Sequence, residues 1–100
     1  MSETHPRFLW WNGRQVQWEE ATVHVTELGW STVGAVFEGI RAYWNAETGE
    51  AYVFRLREHL ERLLRSMRLV RLAPRWSIGE LSEAILQLLR ANECCEDTYI

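Results

Sequence analysis

One hundred residues, 47% apolar and 25% charged, match one small globular domain and leave no room for two. Two prolines and six glycines exclude a collagen-like or linker-like chain, no apolar run approaches the roughly 18–20 residues of a membrane helix, and a net charge of −3 argues against general nucleic-acid binding. The segment Met1–Pro6 has neither a basic nor an apolar stretch, so no secretory leader is expected and a cytoplasmic protein is the default.

The first half reads as strands and turns. Phe8–Trp11 is apolar, Asn12-Gly13 follows, and Gln15–Trp18 alternates polar and apolar. Asn-Gly between two such runs predicts a hairpin, because a type I′ turn needs positive φ at both central residues. Val23–Val25 alternates again and predicts a short third strand. Phe37–Tyr43 alternates with Phe37, Gly39, Arg41 and Tyr43 on one face and Glu38, Ile40 and Ala42 on the other. Asn45–Gly49 has turn chemistry, and Tyr52–Phe54 reads as the returning strand.

The second half reads as helices. Leu56, Leu60, Leu63, Leu64, Met67 and Val70 form one apolar stripe, so an amphipathic helix is predicted over 56–72, ended by Pro74. Ser77-Ile78-Gly79-Glu80 is a capping box opening a second helix that runs to about Ala91, with Asn92 as its stop. Asp97–Ile100 is β-prone. The predicted class is α+β, an antiparallel sheet packed against two helices.

All eleven basic residues are arginine, so chemistry that needs a lysine amine, such as imine formation with a carbonyl, is beyond this chain alone. Seven arginines, Arg55, Arg57, Arg62, Arg65, Arg68, Arg71 and Arg75, lie within one short stretch. By spacing they suit an anion site, a solvated helix face or a membrane-surface helix. Glu58 with Arg62 and Glu61 with Arg65 have the favourable i,i+4 order of a solvated face. His5 falls in an end expected to fray. His24 and His59 are too dispersed to indicate a metal site, and structural roles are expected for all three. Cys94 and Cys95 are adjacent, which suits neither a mutual disulfide nor a zinc site. Six tryptophans exceed what so small a core can hold, so some are expected on a surface that another domain or subunit buries.

Five segments in order carry a resemblance: Trp11-Asn12-Gly13, Val23-His24-Val25, Val36-Phe37-Glu38-Gly39-Ile40-Arg41, Val53–His59 with Leu60-Glu61-Arg62-Leu63, and Thr98-Tyr99-Ile100. Together they resemble the N-terminal small domain of branched-chain amino acid aminotransferases, class IV enzymes of fold-type IV that depend on pyridoxal 5'-phosphate. The resemblance runs from about residue 8 onward. It implies that residues 1–100 are that small domain without the large C-terminal domain. It also implies that the active enzyme is at least a homodimer, that its substrates are small amino acids and 2-oxo acids, and that the amino group of leucine, isoleucine or valine passes to 2-oxoglutarate. By position, Arg62 matches the arginine that binds the cofactor phosphate. Phe37, Gly39 and Arg41 match residues lining the substrate side-chain pocket and its entrance, and Tyr99 matches a tyrosine near the substrate carboxylate. Thr32 stands where many relatives have a tyrosine, with Trp30 nearby as a substitute aromatic. The family's cofactor-holding lysine belongs to the large domain, so no catalytic residue is expected here and the 100 residues alone are expected to be inactive. Alternatives are a D-amino acid aminotransferase, an aminodeoxychorismate lyase, or a stand-alone, non-catalytic binding or dimerisation module.

Overall fold

The structure is a computed structural model that describes residues 5–100, apart from the side chains of Trp30, Ser31 and Thr32. Strand β1 (Phe8–Trp11) pairs antiparallel with β2 (Arg14–Gln17), with Trp11 opposite Arg14. The two residues between them have the positive φ that the hairpin demands, 51° at Asn12 and 89° at Gly13. Trp76 covers this turn: a Cβ on Gly13 would lie 2.8 Å from its ring, and its ring packs edge-on to Trp10 at 5.0 Å. His5, expected to fray, instead stacks on Trp18, with ring centroids 3.8 Å apart and planes at 11°.

No strand forms at Val23–Val25. Both valines are exposed, so their alternation has no apolar surface to bury against. A short 3-10 turn, Val25–Glu27, forms instead, and the His24 side chain caps it by accepting the Thr26 N–H at 3.2 Å. A short helix α1 (Leu28–Val33) follows. The questions raised by Thr32 and Trp30 fall on side chains outside the described ones.

The second sheet has the order β4-β3-β5, built from β3 (Arg41–Asn45), β4 (Glu50–Val53) and β5 (Thr98–Tyr99), all antiparallel. β3 begins at Arg41, not at Phe37. Just upstream of it, Ile40 exchanges backbone bonds of 3.2 and 2.7 Å with Ile100. β4 and β5 flank β3, and among the described residues no pairing joins the β1–β2 hairpin to either of them. The expected single sheet therefore divides into two. Asn45 closes the β3–β4 turn by accepting the Glu47 N–H at 2.9 Å.

Helix α2 (Leu56–Leu69) ends before the predicted 72. Pro74 does not end it; Arg71 does, by turning left-handed at φ 61°. Leu72 N–H then bonds Met67 C=O at 2.8 Å, and Arg71 N–H bonds Arg68 C=O at 3.1 Å, which satisfies carbonyls the helix end would leave orphaned. Helix α3 (Ile78–Ala91) opens on the predicted capping box: the Ser77 hydroxyl accepts the Glu80 N–H at 3.1 Å, and the Glu80 carboxylate accepts the Ser77 N–H at 3.0 Å. At its other end Asn92 bonds both polar groups of the Phe8 backbone, at 2.8 and 2.9 Å, tying α3 to β1. The helices pack on each other and α3 packs on β1. Val16, Ile40, Ala42 and Leu60 are the fully buried apolar residues described. The α+β class expected from the sequence is the one observed. No helix among the described residues is long and apolar enough to cross a membrane.

Candidate functional site

The site is built around the segment leading into β3. The antiparallel register sets Arg41 opposite Tyr99. That places the Arg41 guanidinium over the Tyr99 ring, 5.9 Å from its centroid. Gly39 lies beneath the same ring: a Cβ there would collide with the Tyr99 hydroxyl oxygen and sit 3.0 Å from its Cζ. Glycine is therefore the residue that lets Tyr99 lie where it does. Tyr99 is 67% exposed and Phe37 is 85% exposed, so both present aromatic surface to solvent. Of the residues singled out in the sequence, Gly39, Arg41 and Tyr99 come together. Phe37 makes no described ring contact.

Arg62 sits on α2 and is engaged by Glu38 of the same segment. Its Nε and Nη2 donate to the two carboxylate oxygens of Glu38, at 2.8 and 2.7 Å. Both lengths fall in the range of charge-assisted bonds, and the pairing is bidentate. His59, one helical turn before Arg62, reaches the same carboxylate through Nδ1 at 2.8 Å. Because the carboxylate can only accept, Nδ1 carries the proton in that contact. The Glu38 side chain is only 6% exposed, whereas that of Arg62 is 58% exposed. Hydrogen bonding from Arg62, then from His59, outweighs the effect of burial and lowers the Glu38 pKa from 4.5 to about 2. The same carboxylate raises the pKa of Arg62. Glu38 is therefore ionised at neutral pH.

The sequence predicted two i,i+4 pairs on α2 that are not the ones formed. Glu58 meets Arg55 at 3.7 Å and Glu61 meets Arg57 at 3.6 Å, both at exposed positions. Arg62 goes to Glu38 instead. No local pattern in the sequence marks Glu38, a lone carboxylate in an apolar run. The available signal was that His59 and Arg62, three apart on one helix face, both need an acceptor. Arg65, Arg68, Arg71 and Arg75 are exposed.

Comparison with known proteins gives the family. The family model described as amino-transferase class IV matches residues 35–100. A probable branched-chain-amino-acid aminotransferase of Aquifex aeolicus is 39% identical over 93 residues, covering 93% of this chain and 30% of its own. Among solved structures, the branched-chain amino acid aminotransferase of Thermobaculum terrenum in its PLP form superposes with a TM-score of 0.92 at 48% identity, over 97% of this chain and 32% of that one. The branched-chain amino acid aminotransferase of Escherichia coli gives 0.79 at 40% identity, over 95% and 31%. The chain thus spans about 30% of the length of the Aquifex relative. The resemblance read from the ordered segments is borne out, and the chain belongs to the class IV aminotransferase family.

Proposed function

We propose that these residues are part of a pyridoxal-phosphate-dependent branched-chain aminotransferase, moving the amino group of leucine, isoleucine or valine to 2-oxoglutarate. One observation carries the reading: the single segment 37–41 sets Glu38 against Arg62, and Gly39 and Arg41 against Tyr99. In this reading Arg62 holds the cofactor phosphate, while Phe37, Gly39, Arg41 and Tyr99 wall the substrate pocket.

The residues fit such a group. Glu38 takes the Nε/Nη2 side of the Arg62 fork, and no described bond uses Nη1. The end-on edge of the guanidinium therefore remains to meet a phosphate dianion. When bound, pyridoxal phosphate acts as the electron sink for the amino-acid carbon. This chain's residues bind and orient around it. The absence of lysine means that the amine which moves the proton comes from residues outside these 100. We place the whole protein in the cytoplasm as at least a homodimer.

The test is a transamination assay on the whole protein, amino donor by amino donor, with 2-oxoglutarate as acceptor. Turnover with leucine, isoleucine and valine is expected. Activity with D-alanine alone would reject the branched-chain reading in favour of a D-amino acid aminotransferase.

A further inference from the structure

We propose that Glu38, backed by His59, is a positioning residue that presents Arg62 to the cofactor phosphate; this rests on the reading of Arg62 given above. A long arginine side chain that is more than half exposed samples many rotamers, and a ligand that uses it must freeze them. Glu38 removes that cost beforehand. It grips Nε and Nη2 at 2.8 and 2.7 Å, which fixes the plane of the guanidinium and its rotation about the stem. Glu38 is itself held: its side chain is 6% exposed, and His59 donates to it from a position only 19% exposed. The order of support runs from the largely buried imidazole to the buried carboxylate to the exposed guanidinium.

A competing role predicts the opposite sign. If Glu38 merely neutralised Arg62, its negative charge would repel an incoming phosphate, and removing it would strengthen binding. If Glu38 positions Arg62, removing it weakens binding by about two- to tenfold, the cost of ordering one flexible side chain.

The experiment uses the whole protein stripped of cofactor. Tryptophan fluorescence quenching reports affinity for pyridoxal phosphate and for pyridoxal, which lacks the phosphate. Glu38→Ala is expected to weaken pyridoxal phosphate about two- to tenfold and leave pyridoxal unchanged. Glu38→Gln keeps one acceptor for Arg62 and is expected to fall between wild type and Glu38→Ala, which keeps the test valid if the alanine variant folds poorly. Arg62→Ala should lose the same phosphate preference, and Glu38→Ala added to it should cost nothing more. Unchanged or tighter pyridoxal phosphate binding in both Glu38 variants, with Arg62→Ala still weakened, overturns the positioning role alone. An unchanged phosphate preference in Arg62→Ala overturns the assignment of Arg62, and the positioning role with it.

Discussion

Replacing Glu38 by glutamine removes a charge and leaves the volume unchanged, so it isolates what the ion pair contributes to stability. The carboxyl is held at about 2 in the folded chain against 4.5 ordinarily, first by the Arg62 hydrogen bonds and then by His59. The folded-state value is the lower one. The stabilisation is therefore complete above pH 4.5 and is lost as pH falls through about 2. At about 1.36 kcal/mol per log unit, the drop sets a ceiling of about 3.4 kcal/mol. Arg62 is mostly solvated, and screening reduces this to about 1–2 kcal/mol. Glu38→Gln is thus expected to destabilise the protein by about 1–2 kcal/mol at pH 7 and by no more than about 0.4 kcal/mol at pH 2, where the carboxyl is half protonated. Urea unfolding at a series of pH values measures the difference, and the carboxyl carbon chemical shift of Glu38 gives its pKa directly. A Glu38 that titrates near 4.5, or a variant penalty that stays constant from pH 7 to pH 2, would refute the reasoning.

Three further outcomes follow from the packing. Gly39→Ala pushes the Tyr99 hydroxyl aside; because that ring is largely exposed and can swing, the cost is about 1 kcal/mol, the low end of overpacking, and it vanishes in a Tyr99→Ala background. A penalty that persists without Tyr99 would place the clash elsewhere. Asn92→Asp keeps the acceptor for the Phe8 N–H but turns an acceptor toward the carbonyls of Phe8 and Leu88, which Asn92 now serves as donor at 2.9 and 3.2 Å. It should cost about 2–3 kcal/mol and speed amide exchange in β1, and normal exchange there would count against Asn92 as the tie. Ser77→Ala removes one half of the capping box and should lower stability by about 1 kcal/mol, recovered mostly by Ser77→Asp; a neutral alanine would mean that the cap contributes nothing.

The parts of the fold that were legible from sequence are those fixed by neighbours. Asn12 and Gly13 are adjacent residues tolerant of positive φ, and the turn they define needs nothing from the rest of the chain. Ser77 and Glu80 satisfy each other's backbone groups within one turn. The misreadings have physical causes of the same kind. Three alternating residues at Val23–Val25 suit a strand, but a strand also needs an edge and a surface, and His24 offers the backbone a local acceptor instead. Pro74 is a strong stop signal, yet Arg71 closes α2 three residues earlier by adopting a left-handed conformation that its side chain does not advertise.

The ordered segments single out Gly39, Arg41 and Tyr99, which the fold brings together, but they do not reveal the partner of Arg62. Local rules pair Arg62 with Glu58 on the same helix, and such an exposed pair is worth only about 0.2–0.5 kcal/mol. Glu38 is 24 residues away in sequence and nearly buried. A buried carboxylate without donors would cost several times more, about 1–3 kcal/mol or above. Arg62 is drawn to the acceptor that can least be left unpaired, and Glu58 falls back on Arg55. The choice is set by burial, which depends on how β3, β5 and α2 assemble. A carboxylate standing in an apolar run, facing a helix that carries histidine and arginine three apart, is the pattern that would expose such a pair in another sequence.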